Sequence, residues 1–122
     1  MPRFVILEHR WNGVHWDFML EEGEILRTWA VDAPIRAGQD LPARALPPHR
    51  ALYLDYEGEV SAGRGRVEKL DWGTYDPIVW SAGHVRVDLH GTRFVGRVDL
   101  RRAADQSEGE TGGWIFRLGE GN

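Results

Sequence analysis

Alternating polar and apolar residues predict that short β-strands make up most of the chain. From Val14 to Leu20 the two classes alternate, which places His15, Asp17 and Met19 on one face of a strand. Similar patterns predict further strands at residues 4–8, 25–31, 51–56, 67–70, 84–90, 94–100 and 114–118. No segment shows a sustained helical period. We therefore expect an all-β fold, a small closed antiparallel β-barrel of about seven or eight strands with little helix, and a β-sandwich is the alternative.

Three stretches interrupt this pattern and are predicted to lie outside strands. Residues 32–48 contain four prolines, and because proline lacks a backbone N–H we expect an extended surface loop there. The stretch Asp71-Trp72-Gly73-Thr74 has the composition of a turn. Residues 103–113 are polar and rich in glycine, which is typical of a loop.

Composition limits the class of protein. A chain of 122 residues with 42% hydrophobic residues and six tryptophans is typical of one globular domain, residues 1–122. The absence of cysteine excludes disulfides and thiolate chemistry. No stretch approaches the about 20 apolar residues that span a membrane, so we expect a cytoplasmic protein without a membrane partner. The net charge of −4 disfavours broad, nonspecific binding to duplex DNA.

Two histidines and an aspartate are predicted to meet near the start of the chain. Asn12-Gly13 is a dipeptide that reverses strands readily, so a hairpin there would place His9 beside His15 and Asp17. Neutral imidazole and carboxylate suit a divalent metal such as Mn²⁺, Fe²⁺ or Zn²⁺, and three protein ligands leave positions open for water or substrate. The alternative is a solvated polar face without a metal.

A second polar cluster follows the proline-rich stretch. If a strand begins at His49, then His49, Ala51, Tyr53 and Asp55 share one of its faces. His84 and His90 lie on the polar face of another predicted strand, and we expect them to be solvated or structural.

Two tryptophans lie beside the predicted metal ligands. Trp11 and Trp16 have the ring area to stack on a nucleobase, although most tryptophans in a small barrel pack in its core or at its rim.

Motifs along nearly the whole chain resemble one known family. The opening part reads Phe4-Val5-Ile6, His9, His15-Trp16-Asp17-Phe18 and Leu20-Glu21. Later parts are Trp29-Ala30-Val31, His49 to Glu57-Gly58, Asp71-x-Gly73-Thr74-Tyr75-x-Pro77, Gly83-His84-x-x-Val87-x-Leu89-His90-Gly91 and Trp114-Ile115-Phe116-x-Leu118. These motifs are similar to those of the 3′-phosphoesterase domain of bacterial DNA ligase D and its stand-alone relatives.

This resemblance implies a β-barrel that binds Mn²⁺, or another divalent transition metal such as Zn²⁺, and trims the 3′ ends of DNA or RNA-containing strands. The reaction would remove a terminal ribonucleoside and then a 3′-phosphate. His9, His15 and Asp17 would hold the metal, and His49 would act at the scissile phosphate. The family further suggests a repair ligase or an end-binding protein as partner.

The chain departs from the family pattern at positions that concern phosphate. Met19 stands where the family usually has an arginine, and the segment Ser61-Ala62-Gly63-Arg64-Gly65 is shortened. We expect Arg44, Arg50 and Tyr53 near the phosphate, with the arginines supplying the missing charge. Two alternatives stay open: a binding module of the same fold that has lost turnover, and a barrel without a nucleic-acid role that holds a structural ion or none.

Overall fold

The computed structural model describes residues 1–103 and 113–120, and strands dominate this part of the chain. Within these residues, nine strands and one short 3-10 helix follow each other. The strands are β1 (Arg3–Arg10), β2 (Val14–Glu22), β3 (Ile25–Val31), β4 (Asp40–Arg50), β5 (Gly58–Glu59), β6 (Arg66–Trp80), β7 (His84–Gly91), β8 (Val95–Arg102) and β9 (Trp114–Leu118), and the 3-10 helix is Ala51–Leu54.

Eight of the strands form a closed antiparallel ring. Their order is β1-β2-β3-β4-β9-β8-β7-β6, and β6 pairs again with β1 to complete the circuit. The two-residue strand β5 adds to β6 outside the ring. Closure leaves none of the eight strands as a full-length open edge. The predicted all-β, closed antiparallel fold is therefore confirmed.

The two faces of the ring carry separate hydrophobic clusters. Phe4, Phe18, Trp29 and Phe116 belong to the larger cluster, which fills the interior, and the Phe18 and Phe116 rings meet edge to face at 5.2 Å. Because side chains alternate along a strand, the neighbours of these residues point outwards. Outward-facing strand residues and Leu54 of the 3-10 helix form a smaller outer cluster of buried side chains: Val5, Leu7, Met19, Leu26, Leu54 and Val67.

The prediction of a loop at residues 32–48 is wrong for its second half. Strand β4 includes Pro47 and Pro48, and its ladder with β9 covers residues 40–43 within the described chain. Next to the two prolines the ladder with β3 shifts register, between Leu26 and Thr28. Proline is tolerated at such a position because no ladder N–H is required of it.

The predicted strand at residues 51–56 is also wrong. Residues 51–54 form the 3-10 helix, whose Leu54 is buried in the outer cluster with Val5 and Leu7. His49 and Tyr53 therefore do not share a strand face. The turn of the helix nevertheless brings their rings to 5.9 Å, in an edge-to-face contact.

The predicted turn at residues 71–74 lies inside the 15-residue strand β6. Asp71 is 2% exposed, and its carboxylate accepts hydrogen bonds from the backbone N–H groups of Thr92, Arg93 and Phe94. A side chain at Gly73 would overlap the carbonyl oxygen of His90. Residue types that are common in turns are thus used here to hold the β7–β8 turn against β6.

The hairpin of β7 and β8 and the last strand β9 agree with the sequence pattern. Most of the loop predicted at residues 103–113 lies outside the described residues. Within the part of the chain that is described, no helix is long and apolar enough to cross a membrane.

Candidate functional site

His9, His15 and Asp17 converge on the outer face of the β1–β2 hairpin. His9 lies directly opposite His15 in the ladder, and their rings are 4.7 Å apart. The turn between the strands uses positive φ at Asn12 (53°) and Gly13 (108°), the two residues that tolerate it best. One potential ligand atom from each of the three side chains lies within 4.8 Å of the other two.

Asp17 is the buried centre of this group. Its carboxylate oxygens lie 3.3 Å from His9 Nδ1 and 3.0 Å from His15 Nε2. Burial alone would raise the pKa of Asp17, but the contacts with His15 and His9 outweigh it and hold the pKa below its usual range. Despite its closeness to His15, Asp17 Oδ1 accepts no hydrogen bond from the described residues. A buried carboxylate oxygen without a donor is costly, so it calls for a further partner.

The orientation of His9 is fixed from behind by a backbone carbonyl. His9 Nε2 lies 2.7 Å from the carbonyl oxygen of Arg64, and because a carbonyl only accepts, Nε2 carries a proton. This leaves Nδ1 facing Asp17. The contact with Asp17, opposed by burial and aided by the Arg64 carbonyl, raises the pKa of His9.

Gly65 allows the Arg64 carbonyl to come this close. It has φ of +81°, and a Cβ there would overlap the carbonyl oxygen of Arg10 and crowd the Trp11 side chain. The segment therefore packs against the hairpin without any intervening side chain, as only glycine permits.

The three side chains fit a divalent cation. With His9 neutral, an Nδ1 lone pair faces a carboxylate oxygen, and two acceptors in that position require a proton or a cation between them. The second nitrogen of His9 is held by a carbonyl, the usual arrangement behind a metal-binding histidine. Two imidazoles and one carboxylate also match the ligand preferences of Mn²⁺, Fe²⁺ and Zn²⁺.

These side chains form part of a cleft of about 480 Å³. His49 and Tyr53 line it too, from the end of β4 and the 3-10 helix. His49 Nδ1 donates to the carbonyl oxygen of Pro47 at 2.9 Å, so its Nε2 is the nitrogen left for other partners. The cleft thus combines the three converging side chains with a further imidazole and a phenol.

Arg44 lies two strands away from Asp17 on the same face. Asp17 pairs with Ala30, and Ala30 pairs with Arg44, so only a methyl group separates the acidic and basic side chains across β3. Arg44 Nε and Nη2 each bind an oxygen of Asp32 at 2.9 Å, and these bonds raise the pKa of Arg44. The Nη1 edge is not used in this pair and has no hydrogen-bond partner within the described residues.

The remaining predicted residues differ in accessibility. Arg50 lines the cleft and is exposed. Met19 also lines it, but at 1% exposure it belongs to the outer hydrophobic cluster and offers no charge.

Comparison with known proteins shows the family of this chain. A sequence model of the DNA Ligase D 3′-phosphoesterase domain matches residues 7–102. The chain belongs to this family. It is 36% identical over 108 residues to the multifunctional non-homologous end joining protein LigD of Mycobacterium bovis and to the multifunctional non-homologous end joining DNA repair protein LigD of Mycobacterium tuberculosis. The match covers 81% of this chain and 14% of each relative, so the chain spans about a seventh of their length.

Two contacts that support the site, those of Arg64 with His9 and of Asp32 with Arg44, have no signal in the sequence pattern. Arg64 belongs to the shortened segment, and its carbonyl contact with His9 depends on tertiary packing. Asp32 lies outside the strands, as the proline-rich stretch predicts, and nothing in the local pattern indicates that it holds Arg44. Next to Arg64, the positive φ of Ala62 and Gly63 marks a tight turn. The cluster of small residues in this segment is the sequence feature that indicates such a turn.

Proposed function

We propose that this protein is a metal-dependent phosphoesterase that trims nucleic-acid 3′ ends in DNA repair, removing a terminal ribonucleoside and then a 3′-phosphate. The observation that carries the proposal is the convergence of His9, His15 and Asp17 in a cleft that also holds His49 and Arg44. Membership of the DNA ligase D 3′-phosphoesterase domain family supports the same reaction class. The names of the relatives describe multifunctional proteins of non-homologous end joining.

The metal in this proposal is Mn²⁺, or another divalent transition metal such as Zn²⁺, held by His9, His15 and Asp17. Bound there, the metal would neutralise phosphate charge and make an attacking water more acidic. Three protein ligands would leave coordination positions open for water or substrate. The Arg64 carbonyl keeps His9 turned towards the site.

His49 is the proposed proton donor to the leaving oxygen. Since its Nδ1–H is bound to the Pro47 carbonyl, the transferable proton resides on Nε2. The Tyr53 ring packs against His49 edge to face, which limits the rotation of the imidazole. The Tyr53 hydroxyl is the proposed hydrogen-bond donor to a phosphate oxygen.

Arg44 and Arg50 are the proposed phosphate-binding cations. The two bonds to Asp32 fix the guanidinium of Arg44, and the Nη1 edge then remains to bind phosphate oxygens. In this proposal Arg50 approaches from the end of β4. Together, Arg44 and Arg50 supply to the cleft the positive charge that is missing at position 19, where this chain has methionine.

The direct test is release of phosphate from a primer-template that carries a 3′-phosphate. With Mn²⁺ we expect the 5′-labelled primer to shift to the position of a 3′-hydroxyl end, and EDTA should abolish the change. A second primer ending in one ribonucleotide tests removal of the ribonucleoside. An unchanged end on both primers, in Mn²⁺ and in Zn²⁺, would contradict the proposal.

The second candidate is a binding module that recognises 3′ ends without processing them. The burial of Met19 in the outer cluster favours it, because that position supplies no cation to the reacting phosphate. A binding module would shift the mobility of the DNA while its end stays intact. Partnership with a repair ligase or an end-binding protein, and a cytoplasmic location, remain predictions under either candidate.

A further inference from the structure

Trp11 is an exposed aromatic side chain at the cleft that the arrangement of the candidate ligands does not require. It is 45% exposed and lines the cleft, whereas Trp16 is 8% exposed and belongs to the interior core. The indole lies almost parallel to the His9 ring, at 21°, with 6.3 Å between the ring centres. An aromatic face is thus presented to solvent next to the candidate metal ligands.

The backbone holds Trp11 in this position. Its N–H donates to the carbonyl oxygen of Gly13 at 2.9 Å within the hairpin turn. On the other side, Gly65 approaches so closely that an added Cβ would crowd the Trp11 Cβ. The backbone and Cβ of Trp11 are thereby held in place, so its exposed ring meets a planar partner with less loss of conformational freedom than a ring on a mobile loop.

The charges around Trp11 indicate which planar partner fits. The protein as a whole has a net charge of −4, but the residues lining the cleft include three arginines and a single acid, Asp17. The arginines are Arg44, Arg50 and Arg64. A ligand with an anionic phosphate and an attached apolar ring satisfies both features, and a nucleotide is such a ligand.

We propose that Trp11 stacks on the base of the 3′-terminal nucleotide while the phosphate on that nucleotide lies at His9, His15 and Asp17. This inference rests on the proposed function and specifies its substrate: strand ends with a terminal base, in preference to small phosphate esters. The short distance between the Trp11 and His9 rings places base and phosphate within the span of one nucleotide. Stacking is tolerant of base identity, so recognition extends to all four bases.

The test is a double-mutant cycle between Trp11 and the terminal base. Two 5′-labelled single-stranded hexanucleotides carry the same hydrolysis-resistant 3′-phosphonate, one with a normal 3′-terminal nucleotide and one with an abasic nucleotide. Their Kd values are measured with Mn²⁺ for the native protein and for Trp11→Ala. We expect the native protein to bind the abasic strand about tenfold more weakly, and Trp11→Ala to bind both strands equally.

Trp72→Ala is the matched control. Trp72 is 50% exposed on β6 beside Lys69 and does not line the cleft, so its removal should leave the tenfold preference intact. Trp11→Phe should retain part of the preference. Equal binding of the two strands by the native protein, or an undiminished preference in Trp11→Ala, would overturn the inference.

The cycle separates this inference from the proposed function. Because it measures binding of an end that resists hydrolysis, a protein without phosphatase activity still yields an answer about Trp11. Conversely, phosphate release by a protein that ignores the terminal base would retain the proposed function and refute the stacking role.

Discussion

Two histidine–aspartate clusters on the outer face of the ring differ in whether their hydrogen bonding is complete. At the β7–β8 hairpin, Asp99 accepts from His84 Nε2 at 2.6 Å and from Arg86 Nε, and both carboxylate oxygens have donors. At the β1–β2 hairpin, Asp17 has two imidazoles beside it and no arginine within hydrogen-bond distance, and its buried Oδ1 accepts no hydrogen bond in the described chain.

The pKa directions do not distinguish the clusters. Burial opposes ionisation in both, and both aspartates nevertheless have a pKa below the usual range because of their basic neighbours. The difference lies in burial and in the unsatisfied acceptor: the Asp99 side chain is 19% exposed, and that of Asp17 is 3% exposed. The Asp99 cluster has all its hydrogen bonds and so serves to stabilise the surface of the protein. The buried Asp17 cluster has an acceptor without a donor, which leaves an oxygen atom able to bind a ligand.

The largest expected effect is the loss of activity on changing the incomplete cluster. Asp17→Asn removes the anionic ligand while keeping its size, so Mn²⁺-dependent phosphate release should fall by at least about 10³-fold. The matched change Asp99→Asn should leave the rate within about twofold. Comparable losses in both variants, measured on the 3′-phosphorylated primer, would show that the two clusters do not differ as we infer.

His49→Ala is expected to separate chemistry from metal binding. We predict that kcat falls about 10²-fold because the proton donor is lost, with the Kd for Mn²⁺ unchanged. His84→Ala, in the complete cluster, should alter neither quantity. A variant of His49 that loses Mn²⁺ but retains kcat at saturating metal would reassign this residue to metal binding.

Gly65→Ala tests the support behind His9. The added methyl group should displace Arg64 from the hairpin and weaken Mn²⁺ binding about tenfold, the scale of losing a partner behind a metal ligand. Gly63→Ala is the control, since Gly63 also has positive φ but open space where the methyl group would lie. Calorimetric titration with Mn²⁺ gives both affinities, and equal values for the two variants would refute the role of this contact.

The smallest expected effect concerns stability. Because the pKa of Asp99 is lowered in the folded state, its stabilisation is present above the unfolded value of about 4 and is lost as pH falls through the folded pKa. Asp99→Asn should therefore cost about 1 kcal/mol in the free energy of unfolding at pH 6 and much less at pH 3. Urea unfolding at the two pH values measures this, and a cost independent of pH would contradict it.

The sequence predicted the β1–β2 hairpin because local rules decide it. Period-two alternation sets the faces of Asp17 and His15, and Asn12-Gly13 sets the turn that brings back His9. The structural character expected of His84 and His90 agrees with their pairing to Asp99 and Asp76.

The parts that could not be predicted depend on distant partners. Residues 51–54 look strand-like, but burial of Leu54 against β1 favours the 3-10 helix, so His49 and Tyr53 meet through a helical turn. Pro47 and Pro48 by themselves indicate a loop. They fit into β4 because the ladder with β3 shifts register beside them, which the sequence does not show. The contacts of Arg64 with His9 and of Asp32 with Arg44 have no local signal at all.

The central claim is that the incomplete cluster, and not the complete one, binds the cation. The most direct measurement is an anomalous difference map at the manganese absorption edge, from crystals grown with Mn²⁺ and phosphate. We predict one peak in contact with His9 Nδ1, His15 and Asp17, with phosphate density beside it towards Arg44. A protein without a peak there, or with its manganese at His84 and Asp99, would contradict the account.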